Sequence, residues 1–363
     1  MSETMVTPQE ERIEKGEDFT LTTQEGKEKR FRVAKIFSEL RNATPRVSVE
    51  RAKLFTDSFR QTECFPLTLR WAKGIEHIAK NIDVHIGPDE LIVGRIGPPG
   101  RYGILYPELE SISYADPSTI ISSQKGEGYI LTEEDARVIK EEIIPYWQGK
   151  TFLESLFGLL PEDTRRLVFK DDNMMKSALV LQQTATLRSS LQWSLDYEKI
   201  LKRGFKGIKD EALDRISSLD IYDPKNNYDK IVFYKAVTIV CDAMILFARR
   251  YAEHARQLAQ NESSERRKED LNQIADICEH VPEHPARNFR EAIQSQWFTQ
   301  VGSRMEQMHG GIIGNGRIDQ YLYPFYAQDI AEGRITDDEV LELFELMWLK
   351  MSETPRFQPS APG

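Results

Sequence analysis

Apolar residues recur at helical spacing along much of this 363-residue chain, and this pattern restricts the folds open to it. The longest repeat begins near Tyr228, where apolar side chains recur every three or four positions and would line one face of a helix. That face contains Val232, Ala236, Ile239, Ala243 and Phe247. Similar spacing follows Pro45 and recurs as far as the apolar run that ends at Trp348. The chain is therefore predicted to be mostly helical, with a few strands.

Residues that typically begin helices mark the expected boundaries. Ser48 is predicted to cap one helix, and Thr132, which precedes three acidic residues, is predicted to begin another. Pro285 suits the first turn of a helix, and Thr336 opens a T-x-x-E capping box. The apolar run Leu91 to Val93, followed by a segment rich in glycine and proline, predicts a strand that leads into an irregular loop.

The charge balance argues against two classes of partner. The chain has 48 Lys and Arg against 58 Asp and Glu, a formal net charge of −10. Such an acidic protein gains nothing from releasing the counterions of a nucleic acid, and it offers no basic anchor for an anionic membrane. We expect no apolar run of membrane-spanning length and no signal core in the polar N-terminal segment, so the predicted location is the cytoplasm.

Residue types that hold metals or nucleotides are scattered. Cys64, Cys241 and Cys278 are far apart and odd in number, so we predict three buried or half-buried thiols rather than a disulfide or a zinc site. None of the six histidines belongs to a compact metal array, and neither GRIGPPG nor HGGIIGNG matches a phosphate-binding loop. No bound metal or cofactor is predicted.

One segment carries a candidate binding pair. If the segment that starts at Leu187 is helical, Arg188 and Gln192 lie one turn apart on the same side. A guanidinium fork and an amide at this spacing suit an anionic group rich in oxygen, such as a carboxylate, phosphate or sulfonate. On residue statistics alone, an exposed Arg and an exposed Gln are the commoner arrangement.

Four stretches of the chain, in order, resemble the pyruvate formate-lyase domain of glycyl radical enzymes. They are PRVSVERAKLFTDSF with RWAKGIEHIAKNIDVHIGPDELIVG, then DYEKILKRGFKGI, then FARRYAEHARQLA with ICEHVPEHPARNFREAIQSQWF, and finally GNGRIDQYLYPFYAQDIAEGRITDDEVLELFELMWLKMSE. The resemblance divides the chain into an N-terminal extension (1–30), the N-terminal part of the domain (31–353) and an unrelated or disordered tail (354–363).

The resemblance implies an α/β fold that is predominantly helical, the incomplete N-terminal part of the family's ten-stranded α/β barrel. It also implies a glycyl radical in the complete enzyme, an S-adenosylmethionine-dependent activating enzyme as partner, and a homodimer. Family members form a thiyl radical on a cysteine in a Gly-Cys-x-Glu loop, and this sequence contains no Gly-Cys pair. We therefore expect a fragment that has no catalytic residue of its own and is inactive alone.

Within the family, the sequence Arg188 to Gln192 just before DYEKIL resembles the carbon–sulfur lyases that convert isethionate to acetaldehyde and sulfite. That resemblance implies that Arg188 and Gln192 bind the sulfonate of a small anionic substrate. Two alternatives stay open: a fragment of a different glycyl radical lyase or dehydratase, acting on choline or a diol, and a non-catalytic helical partner protein.

Overall fold

The computed structural model describes residues 24–110, 129–169, 193–306 and 313–354. In its N-terminal part, short strands and helices alternate. The elements are α1 (Gln24–Asn42), β1 (Arg46–Ser48), α2 (Glu50–Gln61), α3 (Leu67–Asn81), β2 (Tyr102–Ile104), α4 (Pro107–Glu110), α5 (Glu133–Val138), a π-helical turn (Ile139–Ile143), α6 (Ile144–Trp147), α7 (Phe152–Leu159) and α8 (Glu162–Val168).

Longer helices make up the rest of the described chain. They are accompanied by two further short strands: β3 (Trp193–Ser194), α9 (Tyr197–Ser217), α10 (Pro224–Asn261), α11 (Glu265–His280), α12 (Phe289–Glu306), β4 (Ile313–Gly314), α13 (Ile318–Ala331) and α14 (Asp337–Ser352). β1 pairs with β2 and β3 pairs with β4, both in parallel. The fold is predominantly helical with a few short strands, as the sequence predicts, and both strand pairs are parallel.

Helix α12 lies at the centre of the core. It packs against α3, α9, α11, α13 and α14, and its side chains are buried around almost the whole helix. Phe298 meets the ring of Phe247 on α10, with ring centroids 5.9 Å apart. A Cβ atom at Gly302 would lie only 2.8 Å from Sδ of Met244, so the glycine allows α10 to approach α12 closely. The other elements are thus arranged around one buried helix.

Helix α10 corrects one expectation. It has 38 residues, and an 18-residue stretch within it has a mean hydropathy of 2.0, long and apolar enough to cross a membrane. The prediction that no apolar run reaches this length was wrong. Its apolar stripe packs against α3, α9 and α11, with Ala243, Phe247 and Tyr251 almost fully buried. Core packing accounts for the apolar residues of this buried stripe, and 44% of the 18-residue stretch is buried.

Three predicted element boundaries were wrong. Ser48 belongs to β1, and α2 begins at Glu50 without a side-chain cap. Leu91 to Val93 is buried but is not a strand, because the backbone N–H and C=O of Val93 bond to the side-chain amide of Gln294 instead of to a neighbouring strand. Pro285 lies ahead of α12, which begins only at Phe289. Tertiary contacts decide each of these boundaries.

Two predicted helix starts are confirmed. The hydroxyl oxygen of Thr132 accepts a hydrogen bond from the backbone N–H of Asp135, at 3.0 Å. Thr336 accepts one from the N–H of Glu339, whose carboxylate accepts the N–H of Thr336 in return, so the capping box is complete. These signals are local, and the sequence alone contains them.

The cysteines divide into two groups. Cys241 and Cys278 are buried as predicted, and burial raises the pKa of the Cys241 thiol to about 12. Cys64 is exposed in the turn after α2, contrary to the prediction. Both buried thiols stay protonated at neutral pH and act as small apolar residues.

Candidate functional site

The candidate site lies at the strand pair β3–β4. Trp193 pairs with Ile313 and Ser194 with Gly314. The predicted binding residues Arg188 and Gln192 lie outside the described residues, and Gln192 immediately precedes β3 in the chain. Their role in binding stays a prediction, and the described neighbourhood begins at the strand that follows them.

Amide side chains from α12 meet the end of β4. Nε2 of Gln296 donates to Oδ1 of Asn315 at 3.0 Å, and Nε2 of Gln300 donates to the same oxygen. Gln296 and Gln300 are one helical turn apart and almost fully buried, with 0% and 1% of their surfaces exposed. One carbonyl oxygen with two lone pairs thus satisfies two buried donors.

Two tyrosines bond to the backbone of the same strand. The hydroxyl of Tyr321 donates to the carbonyl oxygen of Asn315 at 2.7 Å, and that of Tyr197 donates to the carbonyl oxygen of Gly314 at 3.3 Å. Their ring centroids are 5.4 Å apart. Burial raises the pKa of Tyr197 to about 12 and also raises that of Tyr321, so both phenols are neutral donors near pH 7.

A glycine allows the turn after β4 to lie against β3. Gly316 has φ of +59°, in the left-handed region, and a Cβ atom there would lie 2.7 Å from Oγ of Ser194. Gly316 lies between β4 and α13. A larger residue at this position would be strained in its backbone and would press on β3.

Helix α12, which supplies the two glutamines, is fixed at both ends. At its start, the backbone N–H of Phe289 donates to the carboxylate of Asp329 on α13, at 2.8 Å. At its end, the guanidinium of Arg51 donates to the carbonyl oxygens of Met305, at 3.0 and 3.1 Å, and Glu306, at 2.8 Å. A buried cation at the carboxyl end of a helix satisfies carbonyl groups that have no partner within the helix.

The chemistry available at this cluster is binding and positioning. It consists of three amides and two phenols, none of which is an acid or a base near pH 7. Oε1 of Gln296 is buried without a hydrogen-bond partner in the described part of the chain. Across the described ranges, no group of three or more His, Cys, Asp or Glu side chains is placed to hold a metal ion.

The sequence reasoning did not identify the amide and phenol cluster. HGGIIGNG was noticed for its glycines, while its asparagine, Asn315, makes the polar contacts. A usable signal was present in α12, where Gln294, Gln296 and Gln300 lie close to the apolar residues of the predicted inward face. Buried amides require partners, so such glutamines indicate a polar neighbour inside the core.

Comparison with known families gives a match over nearly the whole chain. The sequence profile of the pyruvate formate lyase-like family matches residues 22–361. Isethionate sulfite-lyase from Oleidesulfovibrio alaskensis is 49% identical over 333 residues, which cover 90% of this chain and 40% of that protein. The chain therefore spans about 40% of the length of the curated relatives it matches.

Solved structures of glycyl radical enzymes also superpose on this chain. The glycerol-bound form of the B12-independent glycerol dehydratase from Clostridium butyricum superposes with a TM-score of 0.84 at 32% identity, covering 95% of this chain and 41% of that one. A glycyl radical enzyme from Archaeoglobus fulgidus gives a TM-score of 0.80 at 34% identity, covering 90% and 41%. The helical arrangement described above is thus that of part of a glycyl radical enzyme.

Proposed function

Because this chain belongs to the pyruvate formate lyase-like family, we propose that it forms part of a glycyl radical carbon–sulfur lyase that converts isethionate to acetaldehyde and sulfite. One observation carries the proposal. The chain is 49% identical to isethionate sulfite-lyase from Oleidesulfovibrio alaskensis, against 32% to the glycerol dehydratase. Both alignments cover at least 90% of the chain, so the difference reflects sequence and not the extent of the match.

The part of this chain in the reaction is to bind the substrate. Arg188 and Gln192 would hold the three oxygens of the sulfonate, through a permanently charged planar fork and a neutral amide donor. A sulfonate carries its charge at any pH that the protein meets, so a guanidinium, which is also always charged, is a suitable partner. As the carbon–sulfur bond breaks, Arg188 would stabilise the negative charge that develops on the departing sulfite.

The complete reaction is proposed for a protein that also contains the portion of the relatives that this chain does not span. The glycyl radical, the cysteine thiyl radical, the activating enzyme that uses S-adenosylmethionine, and a homodimer all belong to that proposal. We also propose anaerobic function in the cytoplasm. The unpaired thiols of Cys241 and Cys278 in the described core suit a reducing compartment, and the radical requires exclusion of oxygen.

The test uses a chimera in which the matched part of the Oleidesulfovibrio alaskensis enzyme is replaced by this chain, activated anaerobically by its activating enzyme. Replacing Arg188 by Ala removes the charge that holds the sulfonate, so kcat/KM for isethionate should fall by roughly 100-fold or more, equivalent to about 3 kcal/mol. The matched control is Arg137→Ala, an exposed arginine on α5 that pairs with the neighbouring Glu134 and Glu141.

The glycyl radical signal in electron paramagnetic resonance shows that each variant is folded and activated. An Arg188→Ala chimera with a normal radical signal and unchanged isethionate turnover would contradict the assigned binding role.

A second candidate is a dehydratase that acts on glycerol or on a diol. The structural similarity to the glycerol dehydratase, with a TM-score of 0.84, favours it. The two candidates differ in product, since dehydration releases water and only the lyase releases sulfite. Assaying the chimera with isethionate, choline, glycerol and propane-1,2-diol separates them.

A further inference from the structure

We propose that Asn315 is a positioning residue for the substrate site. Its side chain holds β4, and through strand pairing it holds β3, the strand that directly follows the proposed binding residue Gln192 in the chain. The identity of the substrate rests on the proposed function, whereas the contacts of Asn315 that support the inference all join described residues.

Strands β3 and β4 are short. The β3–β4 ladder pairs two residues on each side, so it supplies few backbone hydrogen bonds. A ladder this short is weak unless other contacts fix it. The position of β3 therefore depends on what holds β4.

Several hydrogen bonds converge on β4 and the residue after it. Side chains from three separate helices bond there: the glutamines of α12 to Oδ1 of Asn315, Tyr321 of α13 to its carbonyl oxygen, and Tyr197 of α9 to that of Gly314. Asn315 is the residue at which α12 and α13 both make contact. Its removal would free the strand from the most buried helix of the core.

Oδ1 of Asn315 is the acceptor of both hydrogen bonds from α12. Gln296 and Gln300 each donate to the same oxygen, so any replacement without an acceptor leaves two buried donors unpaired. An aspartate would keep the acceptor in place. The geometry thus predicts a sharp difference between Asn315→Leu and Asn315→Asp, two side chains that branch at Cγ as asparagine does.

In the chimera, Asn315→Leu should raise KM for isethionate by about tenfold, with a smaller change in kcat, because misplacing the binding segment weakens substrate contacts. Asn315→Asp should stay within about twofold to threefold of the parent. Asn261→Leu, at the exposed end of α10, is the matched control and should leave both constants unchanged.

A triple variant separates positioning from general destabilisation. Gln296→Leu, Gln300→Leu and Asn315→Leu together remove both donors and the acceptor, which should restore much of the thermal stability lost in Asn315→Leu alone. The raised KM should persist, since the tether is still missing. Recovery of KM along with stability would overturn the positioning role.

Hydrogen exchange on this chain tests the tether independently of turnover. In Asn315→Leu, the backbone amides of Ser194 to Tyr197 should exchange at least tenfold faster than in the parent, with those of α11 unchanged. Equal exchange at Ser194 to Tyr197 would overturn the inference even if the chimera cleaves isethionate. If the parent chimera releases no sulfite while exchange responds as expected, the proposed function fails and the tether stands.

Discussion

Buried polar residues fix the relative positions of several chain segments in this protein. On α12, Gln294 bonds to the backbone of Val93, and Gln296 and Gln300 both bond to the side chain of Asn315. Apolar contacts would hold these segments together without fixing their register, whereas a buried amide has few acceptable partners. At this scale, single side chains decide where the loop after Leu91 and strand β4 lie.

Two histidines at the residue scale predict how stability depends on pH. Burial lowers the pKa of His254, and burial together with nearby Arg95 lowers that of His85. The folded protein therefore binds these protons more weakly than the unfolded chain, whose histidines titrate near pH 6.5. Their contribution to stability is present above pH 6.5 and is lost as the pH falls through the lowered values.

We expect the free energy of unfolding in urea to fall between pH 7.5 and pH 5.5, and to fall less in the double variant His85→Gln, His254→Gln. His77→Gln removes a different histidine and serves as the control. If the double variant and the parent lose the same stability over this range, the pKa values of His85 and His254 are not lowered in the folded protein.

At the scale of elements, the sequence predicted what depends on local pattern. The capping box at Thr336 and the N-cap at Thr132 are confirmed, and so is the long helix α10, because neighbouring residues specify them. Leu91 to Val93 shows the limit. Its composition is that of a strand, yet its backbone bonds to the side chain of Gln294, more than two hundred positions away, at a contact no local pattern encodes.

At the candidate site too, features of the local sequence were predicted and contacts between distant residues were not. Arg188 and Gln192 were named from their spacing and from a family resemblance, and they stay a prediction because they lie outside the described residues. Asn315 was missed since its partners on α12 lie 15 and 19 residues earlier in the chain. The motif HGGIIGNG was compared only with phosphate-binding loops, for its glycines, and its asparagine was not considered.

At the scale of the whole molecule, a buried charge cluster joins distant parts of the chain. Nζ of Lys350 lies 3.1 Å from Oε1 of Glu90 and 3.0 Å from Oε1 of Glu353. Arg95 bonds to the same two carboxylates. The end of α14 is thereby fixed to the loop that precedes β2. Burial favours the neutral form of Glu90, but Lys350 and Arg95 outweigh it and lower its pKa.

Replacing Lys350 by Met should destabilise the protein by about 3–5 kcal/mol, because two buried carboxylates would then share one arginine. Urea unfolding measures the change. Adding Glu90→Gln to this variant should recover part of the loss, since it restores the balance of charge. Lys53→Met is the control: that lysine is half exposed, lies 3.7 Å from Glu142, and should contribute at most about 1 kcal/mol. A loss of similar size in both lysine variants would show that the buried cluster is not special.

Product analysis of the activated chimera tests directly whether this chain supplies an isethionate-binding site, as proposed. With isethionate as substrate, we expect release of sulfite and acetaldehyde in equal amounts, and a much lower rate with choline, glycerol or propane-1,2-diol. A chimera that carries the glycyl radical, releases no sulfite from isethionate and dehydrates a diol would instead assign the chain to a dehydratase.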